Sequence, residues 1–310
     1  MRTNNQRSRH DFEEYPLREI IAQYMLFHVT NGHSAETLRY YRCHLGMFAD
    51  WAEENQRTDF ADYNSPVLRE YFAQYQQGHT RNGTQCQYRA VKAFFRWAWD
   101  EYDFEGRNPI DKIKITADPV TPIQGVDPED VAKLFEAAKV SDYPERDCAI
   151  LAVLLDTGIR KSSLANIVKE NVDIINGSIY IQHTKNHRPM IVYLGVNARK
   201  LMRKYLKTIQ DVPEDASLWV TLDHNSLSIN GLREVIRRIC KRANVPEYGM
   251  HDFRRYFALQ SYRNGADIYA VAQLLGHSGI EVTKRYLATN EKDKMLIHAK
   301  TSPLDHKAVK

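Results

Sequence analysis

One short stretch limits the folds open to this chain. From Val172 to Leu194 it carries its only convincing β pattern, and the sequence on either side repeats with helical periods. Val172 to Ile175, Ser178 to His183 and Met190 to Leu194 are rich in Ile, Val and Tyr, residues suited to a pleated, half-buried surface. Asn176-Gly177 offers a hairpin turn between the first two runs, and a polar turn near Lys185 to Arg188 separates the second pair. The expected fold class is therefore mainly α with a small antiparallel β-sheet (α+β).

The first hundred or so residues read as four helices. Leu17 to Val29 is apolar with helical rhythm. After Ser34, a candidate N-cap, Thr37, Tyr41, Leu45, Phe48 and Trp51 recur at steps of four, four, three and three, which places them on one helix face. A third helix is expected near Val67 to Gln77, and a fourth from about Thr84 to Glu101, stopped by Asn108-Pro109. The stretch from Ile115 to Asp127 holds two prolines and a glycine between periodic segments, which is linker chemistry. Asp127-Pro128 then opens a new helix, followed by a strongly apolar one from Cys148 to Thr157. The expected organisation is a polar tail over 1–14, a helical domain over 15–112, a linker over 113–126, a second domain over 127–292 and a tail over 293–310.

Composition excludes some classes of protein. The chain has 310 residues with 43% hydrophobic and 26% charged side chains, enough to build about two domains with real cores. No apolar run approaches the roughly 20 residues that span a bilayer, and the polar start lacks the apolar stretch of a secretory signal. Cys43, Cys86, Cys148 and Cys240 are far apart and form no CxxC pair, which suits a reducing, cytoplasmic setting rather than a disulfide framework or a metal site. The net charge of +4 is compatible with a nucleic-acid partner without demonstrating one.

Several polar residues sit where apolar periodicity does not explain them. Arg160 follows LLDTGI at the end of a buried-looking helix, and Lys185 lies in the turn between two strands. His251 and Arg254, in MHDFRRYFA, are three apart and share a helix face. His277 sits in the break LLGHSG, and Tyr286 follows nine residues later in EVTKRYLA. Taken singly, each has a plain structural reading: a solvated cap, a surface lysine, a turn histidine, a core tyrosine with its hydroxyl at the surface. Together they are the groups that phosphoryl transfer needs without a metal. Guanidinium forks match the non-bridging oxygens of a phosphodiester, whose charge grows in the transition state. A tyrosine hydroxyl can attack if a neighbour takes its proton. A lysine ammonium can protonate the departing 5′ oxygen.

The order and spacing of TGIRKSSL, the Lys185 hairpin, HDFRR, LLGHSG and the following tyrosine resemble the tyrosine recombinases, or phage-integrase family, over most of the chain. The resemblance implies a core-binding domain over 15–112 and a catalytic domain over 127–292, clamping double-stranded DNA. It also implies roles. Arg160 and Arg254 would bind the scissile phosphate, with Lys185 as the general acid and His251 as general base or proton bridge. His277 would hydrogen-bond the phosphate, and Tyr286 would form a 3′-phosphotyrosine link. The family usually carries an acidic residue three positions after the first arginine; here that position is Ser163.

Beyond the site, Arg233, Arg237 and Lys241 recur every four residues, with Arg238 one position on. They read either as a solvated helix face or as a stripe facing DNA phosphates. Arg39 and Arg42 are similar candidates in the first domain. The resemblance further implies a homotetramer on DNA, assembled head to tail, with the 293–310 tail docking on a neighbour. A second recombinase or an accessory protein is a further candidate partner. No cofactor, metal or membrane partner is expected. The compact length points to a simple recombinase on short inverted sites. Phage integration, transposon movement and chromosome-dimer resolution stay open. A non-catalytic DNA-binding protein of the same fold and a type IB topoisomerase are the rival readings. The complete set of candidate groups argues against the first, and the two-domain length against the second.

Overall fold

A computed structural model describes residues 16–116, 125–182 and 189–277, and beyond these the single positions 279, 280, 283, 295, 298, 299, 302 and 304. Most of the C-terminal tail, the segment 183–188 that holds Lys185, and Tyr286 therefore lie outside the described residues. The chain divides into two compact units, Met1–Pro119 and Val120–Lys310.

The first unit is built from α1 (Leu17–Thr30), α2 (Ala35–Glu54), α3 (Ser65–Gly78) and α4 (Arg81–Glu101). Three of these helices begin at a side-chain cap. The oxygens of Ser34, Asn64 and Thr80 accept from the amides of Thr37, Val67 and Gly83 at 3.1 to 3.2 Å, each satisfying an otherwise orphaned donor. On α2 the expected stripe is real at its centre: Leu45, Phe48 and Trp51 are buried, while Thr37 and Tyr41 are half-buried. They meet Tyr71 and Phe72 of α3 and Phe94 and Phe95 of α4 in an aromatic core. Each such ring removed from water contributes about 1.5–3 kcal/mol. A fully buried amide, Gln87, hydrogen-bonds His44 through both its oxygen, at 2.6 Å, and its nitrogen, at 2.8 Å.

One expected stop signal is corrected, although the helix ends where expected. Asn108-Pro109 does not stop α4. That helix ends at Glu101, with Asp103 in the left-handed region at φ 49°. Asn108 instead caps a short 3-10 turn, Pro109–Lys112, and its amide nitrogen donates to the Phe95 carbonyl at 2.9 Å. The turn is thereby pinned back onto α4.

The second unit opens with α5 (Pro128–Lys139), α6 (Pro144–Thr157) and α7 (Lys161–Ala165). Asp127 caps α5 as its sequence suggests, accepting from Glu129 N at 2.9 Å. Nearly every side of α6 is buried, as befits a helix apolar all round; it packs against α5, α8 (Val196–Thr208) and α10 (Met250–Arg263). A three-stranded antiparallel sheet in sequence order contains β1 (Val172–Asp173), β2 (Ser178–Ile181) and β3 (Met190–Tyr193). Ile179, Ile181 and Val192 face the core, and Tyr180, Ile191 and Tyr193 face outward, the alternation expected of a one-sided sheet. The strands are shorter than the sequence suggests. The first turn is also wider than two residues, with Asp173 opposite Ser178. The Asp173 carboxylate accepts from the amides of Ile175 and Asn176 at 3.0 and 2.9 Å and so draws four residues into the loop. Among the described residues, α9 (Ile229–Ala243) and α11 (Ile268–Leu274) follow.

Candidate active site

The site begins where α6 stops. Gly158 is the left-handed C-cap of that helix, at φ 57°, and its amide donates to Leu154 O at 3.1 Å. Glycine is required for space as well as conformation. A Cβ here would lie 2.8 Å from the Phe257 ring and 2.9 Å from the Leu275 side chain. Two residues on, Arg160 takes the N-cap position of α7 in an extended conformation, and its Nη2 donates to the Gly276 carbonyl at 3.0 Å.

Arg254 comes from the opposite side, on the first turns of α10, and is only 3% exposed. Its Nη1 donates to the Gly158 carbonyl and its Nη2 to the Leu275 carbonyl, both at 2.7 Å. One guanidinium therefore ties the end of α6 to the turn that follows α11, and Arg160 holds the same turn one residue later. That turn is the LLGHSG break. Gly276 is left-handed at φ 61° and delivers His277 beside the two arginines. A Cβ on Gly276 would lie 3.3 Å from the Met190 sulfur and 3.7 Å from Arg160 Nη1. The first residue of β3 thus reaches the arginine cluster.

Electrostatics match this geometry. Burial lowers the His277 pKa to about 4, and Arg254, Arg160 and His251 push the same way. His251, on the same face of α10 as Arg254, is also held below its ordinary value, by burial first, then by Arg255 and Arg254. The His277 ring is therefore neutral at pH 7. The Nδ1 of His277 is hydrogen-bonded at 2.7 Å to Oγ1 of Thr283, which is fully buried.

Four of the six sequence-predicted site residues, Arg160, His251, Arg254 and His277, thus converge. Lys185 and Tyr286 lie outside the described residues. Ser163 is buried, and its hydroxyl has no hydrogen-bond partner among the described residues; the Arg160 guanidinium is held by the Gly276 carbonyl instead. Lys169 is buried and donates to Val212 O at 2.7 Å. Thr283 was not legible as a site residue, because nothing in its spacing from His277 announces the contact.

The basic candidates are all exposed. Arg233, Arg237, Arg238 and Lys241 line the face of α9 opposite its buried Leu232, Val235, Ile236 and Ile239, and Arg39 and Arg42 sit on α2. Arg237 is paired with Glu234 at 2.6 Å, which offsets part of its charge. All four cysteines are free thiols. No helix among the described residues is long and apolar enough to cross a membrane.

Comparison with known proteins agrees with this geometry. Residues 124–293 match the phage integrase family, and residues 21–102 match the N-terminal SAM-like domain of phage integrases. The chain belongs to the phage integrase family, the tyrosine recombinases, which are DNA strand transferases. Tyrosine recombinase XerC of Corynebacterium glutamicum is 28% identical over 274 residues, covering 86% of this chain and 85% of that one. Tyrosine recombinase XerD of Staphylococcus epidermidis is 24% identical over 284 residues, covering 87% and 94%. The fold is shared with a lambda integrase tetramer bound to a Holliday junction, at TM-score 0.71 and 14% identity over 88% of this chain and 77% of that one. It is shared too with XerH recombinase in a post-cleavage complex on palindromic difH DNA, at TM-score 0.72 and 17% identity over 88% and 81%.

Proposed function

We propose that this chain is a site-specific recombinase that cleaves and rejoins duplex DNA through a 3′-phosphotyrosine at Tyr286 and a Holliday junction. The Tyr286 oxygen attacks the scissile phosphorus and passes its proton to His251. The bond to the 5′ oxygen breaks, and that oxygen takes a proton from Lys185. Arg160 and Arg254 stabilise the charge that grows on the non-bridging oxygens, and His277 donates a hydrogen bond to one of them. Rejoining is the reverse reaction with a 5′-hydroxyl from the partner strand. The carrying observation is that Arg160 and Arg254, far apart in sequence, are both bonded to the turn that carries His277, through the carbonyls of Gly276 and Leu275, while Arg254 also holds the end of α6 through the Gly158 carbonyl. The placement of Met190 against Gly276 supports Lys185 as a member of the set, since β3 follows directly from its loop.

The helical first domain, over 15–112, serves as the core-binding half of a DNA clamp, with 113–126 as its linker and 127–292 as the catalytic half. Arg39 and Arg42 of the first unit and Arg233, Arg238 and Lys241 of the second contact phosphates and position the duplex without reading bases. Four protomers assemble head to tail around two DNA sites, the 293–310 tail docking on a neighbour. The biological task is integration or excision of a mobile element, or resolution of dimers.

Tyr286→Phe removes only the attacking oxygen. It is expected to keep DNA binding and to abolish the covalent adduct on a nicked suicide substrate run on a denaturing gel. An adduct that persists in the variant overturns the assignment.

A further inference from the structure

We infer that Thr283 is a positioning residue that fixes His277 as the Nε2–H tautomer, so that a neutral imidazole presents a hydrogen-bond donor to the phosphate. The inference rests on the reading of His277 as a phosphate ligand. It adds the residue that orients the ring and the protonation form the ring must hold.

The geometry carries it. Thr283 is fully buried, and its hydroxyl lies 2.7 Å from Nδ1 of His277. Such a pair has three forms. If the ring is charged, both nitrogens donate. If Nδ1–H donates to the hydroxyl, Nε2 carries a lone pair and can only accept. If the hydroxyl donates to Nδ1, the proton sits on Nε2. A phosphate oxygen only accepts, so the second form would repel it.

The charged form is disfavoured by its surroundings. Among the described residues, Arg254, Arg160 and His251 act on the charge of the ring, so protonation would place a third positive charge among two guanidiniums in a partly desolvated place. That leaves the form in which Thr283 donates. It delivers a directed N–H to the phosphate while adding no net charge, and the two arginines supply the charge. The Thr283 hydroxyl holds the ring angle, and while it donates to Nδ1 the proton stays on Nε2. Valine, of nearly the same shape, can do neither.

The test uses the full-length protein with 15N-labelled histidine. Long-range proton–nitrogen correlation spectra report the tautomer of His277, assigned by its loss in His277→Gln. The expected wild-type result is the Nε2–H form at pH 7. In Thr283→Val the ring should become a mixture of tautomers. Single-turnover cleavage should fall roughly 10- to 100-fold, the usual effect of losing an outer-shell partner, with the Kd for DNA unchanged. Thr283→Ser should restore both signals. A wild-type ring in the Nδ1–H form overturns the inference, whatever the variants do to stability. So does a Thr283→Val protein that cleaves at the wild-type rate while His277→Gln is impaired. Wild-type cleavage by His277→Gln sinks the underlying reading of His277 as a phosphate ligand instead, and the tautomer spectrum tells the two failures apart.

Discussion

At the scale of single residues, the proposed mechanism divides labour between charge and proton transfer. Arg254 is almost completely buried, which would be costly for an unpaired charge. Its bonds to two backbone carbonyls fix the fork in place before any DNA arrives, so little reorganisation is needed when the phosphate gains charge. In the proposed mechanism Lys185 has the different task of protonating the leaving 5′ oxygen. Lys185→Ala is expected to slow cleavage by roughly 10²- to 10⁴-fold, the usual span of general acid catalysis. Most of that loss should vanish when the bridging 5′ oxygen is replaced by sulfur, because a thiolate leaves without a proton. Arg254→Lys keeps the charge but loses the fork, and sulfur should not rescue it. Single-turnover rates on the normal and sulfur-substituted strands check the pair. Failure of sulfur to rescue Lys185→Ala would make that lysine a phosphate clamp and assign the acid elsewhere.

At the scale of elements, helix ends position the chemistry. The end of α6 places Arg160, the first turns of α10 place His251 and Arg254, and the turn after α11 places His277. Gly158 joins the first two, because its carbonyl is an acceptor for Arg254 and its left-handed backbone directs the chain to Arg160. Gly158→Ala meets both a conformational cost of about 1–2 kcal/mol and a clash with Phe257 and Leu275 that adds about 1–3 kcal/mol. It should destabilise the second unit and slow cleavage. Gly46 in α2 is the contrast. A Cβ there meets nothing within 4 Å and its φ is ordinary, so Gly46→Ala should stabilise the first unit by about 0.5–1 kcal/mol. Urea unfolding followed by hydrogen exchange reads the two units separately. An unchanged second unit in Gly158→Ala would contradict the reading of the cap.

Local signals were legible where the cause is local. Ser34 and Asp127 announce their helices because a cap acts within three residues, and the core face of α2 shows in its spacing. The first hairpin turn was misread because Asp173 captures two amides ahead of it, a side-chain competition that Asn176-Gly177 does not reveal. Asn108 was misread as a stop because its partner, the Phe95 carbonyl, belongs to the helix already ended.

At the scale of the whole molecule, the candidate site was legible in its residue types and chain order but not in its supports. Arg160, His251, Arg254 and His277 could be named because, although each alone has a plain structural reading, together and in that order they are the groups phosphoryl transfer needs. The carbonyls of Gly158, Leu275 and Gly276 could not, since every residue carries one and only the tertiary fold selects them. Thr283 was hidden for the same reason. The central claim is that one tyrosine of this chain becomes the temporary 3′ end of a DNA strand, with charge supplied by side chains alone. The direct measurement traps the adduct on a suicide substrate in excess chelator, digests it with nuclease and trypsin, and sequences the modified peptide by mass spectrometry. The expected result is a 3′-linked nucleotide on Tyr286, in the tryptic peptide spanning residues 286–292, formed at the same rate with or without magnesium. A nucleotide on another residue, a 5′ linkage, or an adduct that forms only when magnesium is restored would contradict it.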